Sequence, residues 1–185
     1  MTVDAMLDAT VKLLKKRGTA SITTNRVADT AGVSIGSVYQ YFPNKRALFA
    51  ALHERHIKYV DGVIRRRLAE CTGSSLEFLV QCLIEGMVET HISDAELSGL
   101  LQSEVPHRAD GTAGFSARFH EPFCTALAPH ARSFRRKADL NTRAFVVAHM
   151  VESLGHAIVL GRPRGLSLQQ AKKECCSAIL AYLTT

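Results

Sequence analysis

Ile22-Thr-Thr-Asn-Arg-Val-Ala-Asp-Thr-Ala-Gly-Val-Ser-Ile-Gly-Ser-Val-Tyr-Gln-Tyr-Phe-Pro-Asn-Lys-Arg46 is the stretch that decides the fold. Thr23 or Thr24 can cap a short helix over 24–31, because a side-chain oxygen there accepts a free amide of the first turn. Gly32-Val33 reads as a tight turn, and Ser34 caps a second short helix over 35–41. Pro43-Asn44 breaks that helix, and Asn44 caps a long third one over 45–70. Val27, Ala28 and Ala31 then pack against Val33 and Val38, and the small Ala28 lets the two short helices cross closely. Two short helices around a Gly turn form a helix-turn-helix, whose second helix projects a polar surface that fits a DNA major groove.

That second helix, Ser34-Ile35-Gly36-Ser37-Val38-Tyr39-Gln40-Tyr41, carries no Lys or Arg. Small residues at its start, Gly36 among them, let the backbone approach base edges. Gln40 can pair with adenine N6 and N7, Ser37 with several bases, and Ile35 can meet a thymine methyl. Tyr39 and Tyr41 are placed to reach different points of the phosphate backbone. Thr24 and Lys45 sit at helix N-termini, where free amides also attract phosphate.

Thr-Thr-Asn-Arg-Val-Ala, followed by Ala-Gly-Val-Ser-Ile-Gly-Ser-Val-Tyr-Gln-Tyr-Phe-Pro-Asn-Lys, resembles the N-terminal domain of the TetR family of bacterial transcriptional regulators, from about Ala9 to Leu52. The resemblance implies a three-helix DNA-binding domain and a larger helical ligand-binding and dimerisation domain, with repression relieved by a small molecule. By that pattern Thr24, Tyr39, Tyr41 and Lys45 hold phosphates, while Ile35, Gly36, Ser37 and Gln40 face bases. Tyr41 stands where relatives often carry His, which changes a phosphate contact and not the class. The first helix begins close to residue 1, without the short basic arm that many relatives carry before it, which leaves a minor-groove contribution from such an arm open.

The first helix is expected over 3–17. It ends in Lys15-Lys16-Arg17 before Gly18, a basic last turn and C-terminal Gly that suit the helix dipole and cap. Beyond residue 70 the periodicity predicts helices at 75–91, 94–105, 113–127, 140–160 and 168–183. The fold class is therefore all-α, with a helix-turn-helix domain at 1–50 and a helical ligand-binding and dimerisation domain at 51–185. Apolar stripes on 140–160 (Ala144, Val147, Ala148, Val151, Leu154, Ile158) and 168–183 (Leu168, Ala171, Cys175, Ala178, Ile179, Tyr182) recur at three- and four-residue steps, as bundle packing requires. The resemblance adds that such helices join two subunits, so a twofold homodimer on a palindromic site is expected.

The composition fits this scheme. Among 185 residues 46% are hydrophobic and 22% charged, with a net charge of +6. Residues 1–50 hold seven Lys/Arg against three acids, so most of the excess sits in the first quarter. No apolar run approaching a membrane span and no signal peptide are read, so a cytoplasmic protein without a membrane partner is expected. The five cysteines form no CxxC pair and read as reduced, buried thiols, with the vicinal Cys175 and Cys176 the one pair worth a redox question.

The ligand pocket is expected between helices of the larger domain. Phe78, Cys82, Met87, Phe115, Phe119 and Phe123 are candidate walls, with His91, Gln102, His120, His149, Glu152 and Ser153 as polar groups. His149, Glu152 and His156 share a helix face with metal-ligand spacing, but no further ligand completes a site, and a polar strip at a seam or pocket edge is the better reading. No metal and no cofactor are expected. The chain shows no nucleophile elbow, no HExxH, no phosphate loop and no dinucleotide fingerprint. The alternative reading is a small-molecule- or metal-binding helical enzyme with a basic N-terminal hairpin. A sequence-independent architectural DNA binder is disfavoured by the uncharged second helix.

Overall fold

The structure is a computed structural model and describes residues 3–92, 115–134 and 139–184, without the side chains of residues 115–117. The expected helix at 94–105 lies outside these residues. Among the described residues all regular structure is helical. The helices are α1 (Val3–Arg17), α2 (Thr24–Ala31), α3 (Ile35–Tyr41), α4 (Lys45–Glu70), α5 (Leu76–Ile92), α6 (Phe115–Leu127), α7 (Leu140–Leu160) and α8 (Leu168–Thr184). Short 3₁₀ turns occupy Thr19–Ser21 and Ala128–Ser133. The chain divides into two compact units, and along the described residues the division falls within α4, between Ile57 and Lys58.

In the first unit Leu7, Leu14, Ile22, Val27, Val38, Leu48, Phe49 and Leu52 form one buried cluster. Local chemistry sets the helix boundaries. Asp4 lies in the first turn of α1 and three cations lie in its last, complementing the helix dipole. The Thr23 hydroxyl accepts from the Arg26 amide at 3.3 Å, and the Asn44 side chain accepts from the Ala47 amide at 2.9 Å. Gly32 sits at φ +69°, a left-handed conformation that only glycine adopts cheaply, and its amide closes α2 onto the Ala28 and Asp29 carbonyls. Arg55 ties α4 to α1 through Asp8 at 2.6 Å.

In the second unit α5 and α7 pack on each other through their apolar faces, with Glu77 and Gln81 of α5 and Asn141 and Ser153 of α7 kept on exposed positions. Gly155 on α7 is the crossing point: a Cβ there would lie 2.1 Å from the Cγ of Met87 on α5. Arg67 on α4 reaches Glu89 on α5 at 2.7 Å, and Arg66 reaches the same carboxylate at 3.0 Å. Arg143, only 2% exposed, donates to the carbonyls of Tyr182 and Leu183 at 3.1 Å each, capping the last turn of α8. Its guanidinium also lies 4.9 Å from the centre of the Phe134 ring.

One expectation needs correction. By length and composition α7 is apolar enough to cross a membrane, although no such run was read from the sequence. Its Ala144, Val147, Ala148, Val151 and Ile158 are buried in the protein core. The burial is one-sided, since Phe145 and Leu160 of the same helix are 50% and 42% exposed, so α7 is part core and part surface.

Candidate nucleic-acid interface and ligand cavity

The geometry of α3 follows from its two ends. The Ser34 hydroxyl accepts from the Ser37 amide at 3.0 Å and lies 2.8 Å from the Ser37 hydroxyl, so both serines are ordered at the start of the helix. Val38 turns inward and is fully buried, while Ile35, Gly36, Tyr39, Gln40 and Tyr41 are exposed. One buried residue therefore orients the whole polar face outward. A Cβ on Gly36 would meet only the Ser34 hydroxyl, at 3.8 Å, so the start of the helix has an open surface.

Two further bonds hold the surroundings of α3. Thr24, at the start of α2, donates through its hydroxyl to the Tyr39 phenol oxygen at 3.2 Å. This places the N-terminus of α2 beside the exposed ring of Tyr39. Lys45, at the start of α4, donates to the Thr19 carbonyl at 2.7 Å and lies 5.3 Å from the centre of the Phe49 ring. Its ammonium thus braces the α1–α2 connection, a tie the sequence did not announce. The structure gathers Thr24, Ser34, Ile35, Gly36, Ser37, Tyr39, Gln40 and Tyr41 on and around one short helix, with Lys45 engaged by the connection before α2.

The expected ligand residues are dispersed. Cys82, Met87, Phe119 and Phe123 are core, the two phenylalanines meeting edge to face at 6.2 Å. Phe78 is 48% exposed on the outer side of α5. His91 is buried, its ring centre 3.9 Å from that of the half-buried His156 on α7. His149 donates through Nδ1 to the Phe145 carbonyl at 2.8 Å and lies against the Phe145 ring. Glu152 is half-buried one turn further along and Ser153 is exposed. His120 lies 3.3 Å from the Asn141 carbonyl and beside the Cys124 thiol. Gln102 and the side chain of Phe115 lie outside the described residues.

A cavity of about 570 Å³ lies elsewhere in the second unit, lined by none of these. Leu68, Cys71 and Thr72 at the end of α4, Leu79 on α5, and Glu121, Pro122, Thr125 and Ala126 on α6 form its walls, with Pro129 and His130 beyond. Most of its lining is apolar or small, with Arg65, Glu121 and His130 as the ionisable groups. Arg65 is bonded to Asp61 at 2.8 Å. The breakers Thr72-Gly73 after α4 and Pro129 after α6, with Pro122 inside α6, mark where helices end or bend but do not by themselves place a cavity.

All five cysteines are free thiols. Burial, helped by contact with Cys82, pushes the Cys71 thiol up to about 12. Burial likewise pushes Cys176 up to about 11 and raises Cys124 and Cys175. Burial thus disfavours the thiolate, the reactive form, most of all at the buried Cys71, while Cys124, Cys175 and Cys176 are only half-buried rather than buried as expected.

Comparison with known proteins places this arrangement. The family model for bacterial regulatory proteins, tetR family, matches residues 6–52, and the tetracyclin repressor-like C-terminal domain matches residues 75–183. The chain belongs to the TetR family. This family of transcriptional regulators is not enzymatic, which sets aside the enzyme alternative.

Among curated relatives, the nucleoid occlusion factor SlmA of Actinobacillus pleuropneumoniae serotype 5b is 35% identical over 83 residues, 43% of this chain and 41% of that protein. An uncharacterized HTH-type transcriptional regulator of Mycobacterium tuberculosis is 31% identical over 80 residues, 43% of this chain and 40% of its own length. The match thus spans about two fifths of the curated relatives' length. A Rhodococcus sp. RHA1 protein of unknown function superposes with a TM-score of 0.75 at 18% identity, covering 98% of this chain and 95% of that one. Bacillus subtilis FadR in complex with stearoyl-CoA gives 0.67 at 14% identity, covering 98% and 99%. SmeT in complex with triclosan gives 0.66 at 21%, covering 98% and 91%. At these identities the structures share the fold.

Proposed function

We propose that this TetR-family chain is a sequence-specific repressor. It acts in the cytoplasm as a homodimer on a palindromic operator and is released by a small apolar ligand. Residues 1–50 carry the DNA contacts and residues 51–185 the ligand and dimer contacts. The observation that carries the reading is the exposed face of α3, with Ser37 and Gln40 presented for base edges and Tyr39 beside Thr24 for phosphates. A single short helix with so few base contacts reads weakly. Two helices held about one helical turn apart add their contacts on a palindrome.

The ligand part is supported by the cavity of about 570 Å³, within the range of small-molecule sites. It is supported too by relatives in the same fold that were solved with stearoyl-CoA and with triclosan. A ligand shifts DNA binding only through its different affinity for the DNA-competent and DNA-released states. α4 runs without interruption from Lys45, beside the DNA-binding face, to Glu70, beside the cavity, and is the element through which such a difference passes.

In-vitro selection of duplex from random sequence tests the reading. A palindrome of fixed half-site spacing is the expected product. Recovery of no preferred sequence, or a monomer in solution under binding conditions, would overturn it.

A further inference from the structure

The surface that reads bases holds no cation, yet duplex affinity comes chiefly from Lys and Arg displacing counterions from phosphates. The cations of the first unit are gathered elsewhere. Lys12, Lys16 and Arg17 of α1 and Arg26 of α2 line a groove of about 350 Å³, with Asp29 as its one carboxylate. All four cationic side chains are exposed, and among the described residues none of them forms an ion pair. They are four of the seven Lys and Arg in residues 1–50.

Their position follows from α2. Thr24 faces Tyr39 of α3, whereas Arg26, two residues and about 200° further round the helix, faces α1 and donates to the Ser21 carbonyl at 2.8 Å. The groove therefore lies on the flank of α2 opposite α3. Lys12 and Lys16, one helical turn apart, run along it with a spacing of about 6 Å. A duplex carries a charge every 3.4 Å or so along each strand and continues past the base pairs under α3, so an extended row of exposed cations matches it better than it matches a single free anion.

We propose that the groove between α1 and α2 is a phosphate-binding surface for duplex flanking the base pairs read by α3. It supplies the electrostatic affinity that α3 lacks, and α3 supplies the choice among sequences. This rests on the DNA-binding reading above.

The test uses the full-length protein and two duplexes, one trimmed to the selected site and one extended by about a helical turn on each side. Binding is measured by fluorescence anisotropy across a salt series. On the extended duplex, Lys12→Gln with Lys16→Gln is expected to flatten the plot of log affinity against log salt by about 1.8, since each lost phosphate contact removes about 0.9. On the trimmed duplex the slope stays as in the unsubstituted protein. Asp29→Asn is expected to act in the opposite direction, tightening binding to the extended duplex several-fold, an effect that misfolding does not produce.

An unchanged slope in the double variant, with the unsubstituted protein binding both duplexes, overturns the proposal and leaves the α3 reading intact. Failure of the unsubstituted protein to bind either duplex overturns both. Loss of binding to a poly-glutamate peptide with an unchanged duplex slope assigns the groove to an acidic polypeptide instead and likewise overturns the proposal.

Discussion

Tyr39 is half exposed, with its phenol oxygen held by the Thr24 hydroxyl. That bond fixes a ring which would otherwise lose rotamer freedom on meeting a phosphate. Tyr39→Phe should weaken binding to all duplexes alike by about 1 kcal/mol, read by anisotropy at constant salt. Gln40→Ala should act differently, relaxing the preference at one base position by about 1–3 kcal/mol in a competition against substituted sites. Equal loss on every site after Gln40→Ala would remove it from base reading. These side chains were legible in the sequence because capping and turn chemistry are local: Ser34, Gly32 and Asn44 set helix boundaries whatever packs on them. The bracing of the Thr19 carbonyl by Lys45 was not legible, since it joins residues 26 apart.

At α5 and α7 the central fact is the notch at Gly155. Gly155→Ala sets a methyl against Met87, which must move within a packed core, at a cost of about 1–3 kcal/mol measured by urea unfolding. A glycine inside an apolar helical pattern is a signal of close approach, and the sequence reading passed over it. Glu89 adds a pH dependence to the pairing of α4 with α5. The bond from Arg67, with the charges of Arg67 and Arg66, holds its carboxyl below the usual range. A depressed carboxylate contributes stability above its unfolded pKa of about 4.3, and the contribution is lost as pH falls below that through the folded value. Glu89→Gln should therefore flatten the acid limb of stability against pH. The effect is about 1 kcal/mol or less because the pair is partly exposed.

For the chain as a whole, helix number and order were readable from periodicity, while the position of the cavity was not. The cavity arises where the ends of α4 and α6 stop short of filling space, and no single helix encodes that. The Phe-rich α6 pointed to apolar walls, but Phe119 and Phe123 fill the core and the cavity opens on the other side, at Pro122 and Ala126. Ala126→Trp should fill it. Any small molecule that raises the melting temperature of the parent protein should then lose that effect, with DNA affinity unchanged; retention of the shift would place the ligand elsewhere. Native Cys71 should also resist alkylation at pH 8, with mass spectrometry finding it modified only after unfolding.

Arg143 has one more consequence. Its guanidinium lies sealed inside the unit, with the backbone oxygens of Tyr182 and Leu183 among its acceptors. Trimming the polypeptide ahead of Tyr182 would strip a buried positive charge of those oxygens, so a shortened version should unravel far more readily than the few missing contacts suggest. Replacing that arginine by methionine in the same shortened version should recover much of the loss.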